Sequence, residues 1–174
     1  MLRPRVIPCL LIRDQGLVKT TKFKKSRYLG DPLNAVRIFN EKKVDELIIL
    51  DIDATSNARE PNFSLIKDLA SECQMPLCYG GGIKTIHQAK KIIQLGVEKI
   101  ALSSAALDSP ELISLISNDL GSQSVVIVLD FKINYFGKPQ IWSNNGLKNS
   151  NLSVLDMIEK FEQLGAGEIV LNSI

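Results

Sequence analysis

Six short runs of β-branched and aliphatic residues punctuate the chain: Arg5–Ile12, Glu46–Ile52, Pro76–Gly80, Lys99–Ser103, Ser124–Ile133 and Glu168–Asn172. Within each run the apolar residues follow one another instead of alternating with polar ones. That is the pattern of strands buried on both faces, as in a parallel sheet covered by helices. The segments between them carry helical periodicity. Ile86, Ala89, Ile92 and Ile93 line one helical face, and Leu155, Ile158 and Phe161 line another. Asp31–Pro32 and Ser109–Pro110 read as helix starts, each a capping residue with proline at the first helical position. Gly96, Gly121 and Gly165 read as helix-ending glycines. A longer insertion, Asn134–Asn151, follows the fifth strand, and Gln140–Ser143 within it reads as a short return strand.

Three stretches are variants of one phrase: Lys43–Ile52 (KVDELIILDI), Gly96–Ala105 (GVEKIALSSA) and Gly165–Ile174 (GAGEIVLNSI). Each passes from a helix-ending turn through a charged residue into a buried strand, so one supersecondary unit is repeated. Strand–helix alternation with crossovers of this length predicts an α/β fold with a parallel sheet. The two forms open to it are a (β/α)8 TIM barrel and an open doubly wound sheet. The glycine triplet Gly80–Gly82 lacks the G-x-G-x-x-G spacing of a nucleotide fold, which favours the barrel. A barrel of this kind has eight units. The expectation is therefore a single partial TIM-barrel domain over residues 1–174, holding the first six β/α units and ending on an uncovered strand edge that invites aggregation.

Composition narrows the function. A chain of 174 residues with 45% hydrophobic content can build a proper core, and a net charge of +2 is too small to argue for nucleic acid or a membrane surface. Lys22, Lys24, Lys25 and Arg27 crowd what reads as a loop, either a solvated face or an attractor for an anionic substrate. Cys9, Cys73 and Cys78 show no Cys-x-x-Cys spacing, so reduced thiols in the cytoplasm are expected, without zinc or other metal. His87, the one histidine, falls on a surface helix. No residue pattern asks for a cofactor. No export signal or membrane span is expected.

In barrels the chemistry sits where the strands end. Here those ends carry Leu11–Asp14, Asp51 and Asp53, Gly80–Gly82, Ser103 and Ser104, Asp130 and Lys132, and Asn172 and Ser173. Gly81, Gly82, Ser103 and Ser104 suit a phosphate cradle built from backbone N–H groups, and equally suit ordinary βα turns. Asp130, after the apolar run Val125–Leu129, is the candidate for proton transfer, because a carboxylate at such a mouth is partly desolvated. A loop-capping aspartate is the other reading.

The segments RVIPCLLIRDQGLVKTTKF, DELIILDIDA, YGGGIKT, GSQSVVIVLDFK and GAGEIVLNSI resemble the cyclase subunit of imidazole glycerol phosphate synthase over essentially the whole chain. A sister isomerase family shares the glycine-rich turn, and GSQSVVIVLD with GAGEIVLNSI favours the cyclase branch. The resemblance implies a TIM barrel that takes ammonia from a partner glutaminase subunit in a heterodimer. Its phosphorylated small-molecule substrate is closed into an imidazole ring, giving imidazole glycerol phosphate and an aminoimidazole carboxamide ribonucleotide in histidine biosynthesis. On this likeness a catalytic aspartate falls on Asp130, a phosphate site on Gly82, Ser103 and Ser104, and Lys19 in a mobile first loop over the substrate. A charged ring that gates ammonia falls on Arg5, Glu46, Lys99 and Glu168, each near a strand start. Two positive and two negative groups there can neutralise one another, where an isolated buried charge would cost several kcal/mol.

The pattern breaks at two places. Leu11 stands where the family has its other catalytic aspartate, and losing one general acid/base costs about 10²–10⁴ in rate. The last two β/α units, which carry the family's second phosphate site, are not in this sequence. Relatives without the first-strand aspartate resemble proteins that deliver ammonia to a sugar amidotransferase for surface polysaccharides. The alternatives are thus such an ammonia-channelling paralogue or a non-enzymatic truncated product.

Overall fold

The computed structural model describes residues 3–21, 25–143 and 146–174. These form two compact units, residues 1–83 with 87–100 and residues 84–86 with 101–174. Strands and helices alternate along both, an α/β fold of the kind that builds (β/α) barrels. Among the described residues no helix is long and apolar enough to cross a membrane.

The first unit is built on β1 (Cys9–Arg13), β2 (Gly16–Thr21), β3 (Lys25–Gly30), β4 (Leu47–Asp51) and β5 (Leu77–Gly80). β1 runs parallel to β4 with Leu11 opposite Leu50, and β4 runs parallel to β5 with Leu47 opposite Leu77. Three helices accompany them. α1 (Pro32–Lys42) starts as the sequence predicts: Asp31 accepts a capping bond from Leu33 N–H, and Pro32 takes the first turn, where its missing N–H is no loss. α2 (Phe63–Glu72) is capped by Asn62, which accepts from Leu65 N–H. α3 (Ile86–Gln94) buries Ala89 and Ile92. Ile12, Val36, Leu47, Ile49, Ile66 and Leu69 are fully buried and make the core of this unit.

The second unit centres on β7 (Val125–Ile133), whose first five residues are all buried. β10 (Glu168–Ser173) lies parallel to it, with Glu168 opposite Val126 and Asn172 opposite Asp130. β8 (Pro139–Ser143) folds back antiparallel on β7, and β9 (Lys148–Ser153) antiparallel on β8. α4 (Ser104–Asp108), α5 (Glu111–Leu120) and α6 (Val154–Gln163) complete the unit. β6 (Lys99–Leu102) crosses from the first unit into the second.

The structure departs from the sequence-based elements in four places. Regular β1 starts at Cys9 and not at Arg5, because Pro8 has no N–H for a ladder. The extended run before it still serves β4, since the Val6 and Pro8 carbonyls accept from Asp45 and Ile48 N–H at 3.2 and 2.9 Å. The basic loop is largely a β-hairpin. Lys25 and Arg27 lie on β3, while Lys22 and Lys24 fall outside the described residues. β3 is exposed along almost its whole length, so it leaves no apolar signature, and its neighbour is entered through Asp14–Gln15. Both turn residues have positive φ, 46° and 66°, as a two-residue hairpin turn with the right twist requires. At Ser109–Pro110 the helix starts one residue late: Pro110 holds the cap position and Ser109 contributes its carbonyl to Leu112 N–H, not a side-chain cap. α6 turns Val154, Met157 and Phe161 inward, and Leu155 is exposed; β8 and β9 approach this helix and select the other stripe.

Gly81 makes a close backbone approach at the end of β5. With φ at 119°, a Cβ there would overlap the Asp51 carbonyl oxygen and come within 2.8 Å of Asp51 Cβ. Gly81→Ala is therefore expected to lower stability by about 2 kcal/mol or more through strain and overlap. Urea unfolding of the variant checks this, and an unchanged midpoint would refute the packing described.

Candidate functional site

On the buried strands β4 and β6 charge stands at the ends. At the strand-start end of the first unit, Glu46 immediately precedes β4 with its side chain only 2% exposed. Its Oε2 accepts from Arg5 Nη1 at 3.0 Å and from Lys99 Nζ at 2.7 Å. Lys99 is the first residue of β6, and Arg5 lies in the extended run that leads into β1. Among the described residues Glu46 Oε1 has no hydrogen-bond partner, so one carboxylate oxygen is neutralised twice and the other is bare. A buried carboxylate persists only with such partners. Three of the four expected gate residues are thus in direct contact. The fourth, Glu168, opens β10 in the second unit.

At the strand-end side of the same unit, Arg13 donates from Nη2 to Asp53 Oδ1 at 2.9 Å and from Nη1 to Ser26 Oγ at 2.8 Å, and its Nε lies 2.7 Å from Asp53 Oδ2 as an ion pair without a hydrogen bond. This ion pair ties β1, the segment after β4 and β3 together. Asp51, at the end of β4, accepts from the Asp53 and Ala54 N–H groups and so closes its own turn. A cavity of about 270 Å³ opens beside it, lined by Gln15, Asp51, Arg59, Glu60, Asn62 and Leu65. Burial, aided by the Asp51 charge, pushes the Tyr79 phenol well above its ordinary range.

Gly82 is buried at φ 74°, and a Cβ there would come within 2.8 Å of the Arg59 carbonyl. Its N–H already donates to Thr55 Oγ1 at 3.3 Å. Lys19 lies on β2 opposite Arg27, exposed, and so on a strand where a mobile loop was expected; pairing with β3 holds that segment extended. Leu11 is half-buried on β1 between Leu50 and Val18. It presents an apolar side chain with nothing to donate or accept. His87 is exposed on α3, and among the described residues no disulfide joins Cys9, Cys73 or Cys78.

In the second unit, Ser103 and Ser104 stand at the start of α4 with both side chains half-buried. Ser103 makes no side-chain cap, and its carbonyl accepts from Ala106 N–H at 3.0 Å. Asp130 lies near the end of β7, flanked in register by Asn172 of β10 on one side and Trp142 of β8 on the other. Asn172 Nδ2 donates to Asp130 Oδ1 at 2.7 Å. Burial raises the Asp130 pKa, and the Asn172 hydrogen bond pulls partly against that rise. Lys132, two residues further along, sits 3.7 Å from the Trp142 ring centroid and donates to the Gly146 carbonyl at 3.1 Å. Trp142 and the Arg13–Asp53 ion pair were not singled out from sequence. Trp142 was detectable only as the one aromatic in a predicted return strand. Among the described residues no group of three or more His, Cys, Asp or Glu could hold a metal ion.

A model of the Histidine biosynthesis protein family matches residues 5–174. A Vibrio vulnificus (strain YJ016) protein provisionally named imidazole glycerol phosphate synthase subunit hisF3 is 54% identical over 175 residues, covering all of this chain and 67% of the relative. A Pseudomonas aeruginosa protein with the provisional name of subunit hisF2 is 54% identical over 174 residues, covering all of this chain and 69% of the relative. Imidazole glycerol phosphate synthase subunit HisF of Lactococcus lactis subsp. cremoris (strain SK11) is 38% identical over 175 residues, covering all of this chain and 68% of the relative. The chain thus spans about two thirds of the length of these relatives and aligns from end to end, and it belongs to the family of HisF-type imidazole glycerol phosphate synthase subunits.

Proposed function

We propose that this chain carries the cyclase-type chemistry of its family: ammonia, delivered by a glutaminase partner, is used to close an imidazole ring on a phosphorylated ribonucleotide. The products would be imidazole glycerol phosphate and an aminoimidazole carboxamide ribonucleotide. The observation that carries this reading is Asp130, a half-buried carboxylate with a raised pKa at the end of an apolar parallel strand. Ring closure needs a group that takes a proton from the attacking nitrogen, and a carboxylate with raised pKa is a better base for that step. Gly82, Ser103 and Ser104 are assigned to phosphate and Lys19 to the anionic substrate. For Gly82 the contact would run through its glycine geometry, since its N–H is engaged by Thr55. Arg5, Glu46, Lys99 and Glu168 are assigned to ammonia passage. The Arg5–Glu46–Lys99 contact supports that assignment, because it is a polar cluster of opposite charges placed away from the strand ends.

A second reading, an ammonia-channelling paralogue serving a sugar amidotransferase, is favoured by one observation. Leu11 occupies a half-buried β1 position where it can neither donate nor accept a proton. Division of acid and base work between two carboxylates in different environments is then lost. The chain is also more similar to relatives whose subunit name is provisional, at 54%, than to the Lactococcus lactis subunit, at 38%. Both readings keep the glutaminase partner.

Three outcomes are expected. With ammonia and the ribonucleotide substrate, Asp130→Asn should lower turnover by about 10²–10⁴. The acid limb of the wild-type rate should lie above the ordinary aspartate value of about 4, since the base must be ionised and its pKa is raised. An acid limb at or below that value would remove Asp130 from the role. Leu11→Asp should raise cyclase turnover; a variant that folds, binds the glutaminase and gains nothing favours the ammonia-channelling reading. Glu46→Ala should lose about 3 kcal/mol in urea unfolding, because the largely buried Lys99 loses its 2.7 Å ion pair to a buried carboxylate. In the complex the same variant should lower glutamine-dependent turnover more than turnover with free ammonia, and an equal loss in both would count against a gate.

A further inference from the structure

We infer that Asn172 is a positioning residue for Asp130: its side-chain amide fixes the orientation of the carboxylate and leaves Oδ2, not Oδ1, to exchange the reacting proton. This rests on the proposed role of Asp130 and adds a residue and an atom to it.

The pairing of β10 with β7 puts Asn172 directly beside Asp130 in parallel register, so both side chains project from the same face of the sheet. The bond is short, 2.7 Å from Asn172 Nδ2 to Asp130 Oδ1. An ionised carboxylate only accepts, which settles the amide orientation: nitrogen toward Asp130 and the amide oxygen away. On the other side, Trp142 is the antiparallel register partner of Asp130, and its ring is occupied by Lys132 Nζ at 3.7 Å from the centroid. Asp130 therefore has an amide donor on one neighbouring strand and an aromatic residue on the other. Rotation of its carboxylate away from β10 breaks the Asn172 bond. With Oδ1 engaged, Oδ2 is the oxygen left to take a proton from a substrate.

The surrounding charges do not supply this control. Lys132 is engaged with Trp142 and the Gly146 carbonyl. β8 carries no titratable group, and β10 carries only Glu168, at the Val126 end of the pairing. On β9 the one titratable residue, Lys148, is exposed. The titratable residues of α5 (Glu111 and Asp119) and of α6 (Asp156, Glu159, Lys160 and Glu162) are exposed. A neutral amide is thus what opposes the effect of burial on Asp130 within this unit. A neutral donor stabilises the carboxylate less than a cation would and leaves its pKa raised, as a base needs.

The test is a titration of the Asp130 carboxyl carbon by nuclear magnetic resonance in the full chain, with Asn172→Ala and Asn172→Ser beside it. Asn172 is exposed at the end of its strand, so neither variant removes core packing. In Asn172→Ala the Asp130 midpoint should rise by about one unit, since loss of a hydrogen bond to a charged acceptor is worth about that much. Asn172→Ser, which keeps a donor, should recover part of the shift. The acid limb of turnover should move up in parallel, with kcat falling more than KM rises. An unmoved Asp130 midpoint in folded Asn172→Ala overturns the inference. A wild-type chain that titrates as described but turns nothing over would refute the proposed function and leave the Asn172–Asp130 coupling standing.

Discussion

A strand that is apolar on both faces has no place for a charged group except at its ends. β4, β5 and β7 are such strands, buried by neighbours in the sheet and by helices across it. The constraint decides more than packing. It sends Glu46 and Lys99 to the strand starts and Asp51 and Asp130 to the strand ends, with four or five apolar residues between. The Glu46 and Asp130 contacts are both consequences of that sorting.

The buried Glu46 and the half-buried Asp130 are then handled in opposite ways. Glu46 is matched by two cations on one oxygen, an arrangement that ties the lead-in to β1 to the starts of β4 and β6. Asp130 is matched by a neutral amide, which orients it without adding a charge. The first arrangement suits a structural element or a fixed polar opening, since a buried carboxylate persists only with such partners. The second suits a group that must gain and lose a proton. Partner chemistry distinguishes the two carboxylates more clearly than residue type does.

How far the sequence foretold this can be traced element by element. The buried strands and the Asp31–Pro32 helix start were legible because each rests on a local signal, a continuous apolar run or a cap with proline. Asp130 followed from its place at a strand boundary, and Glu46 and Lys99 from the family resemblance. β2 and β3 were not legible, since β3 buries almost nothing and the turn from β1 into β2 uses Gln15 where glycine is the usual cue. The inward face of α6 was misread because both stripes are apolar, and only the hairpin packed beside it selects Val154, Met157 and Phe161. The Asn172–Asp130 bond depends on the register of two strands about forty residues apart, which no local pattern encodes.

That register has a consequence for how the protein can vary. The turn between α6 and β10 is held by Gly165 at φ 98°, packed on Ser117, and by Gly167, set against the Ser122 backbone. It fixes where β10 begins and hence which residue stands beside Asp130. A shift of one position would bring Leu171 or Ser173 alongside in place of the amide and turn its neighbours to the opposite face. Over evolutionary time this turn can change neither in length nor at its two glycines. An insertion there, far along the chain from Asp130, would alter the carboxylate without changing a single residue that touches it.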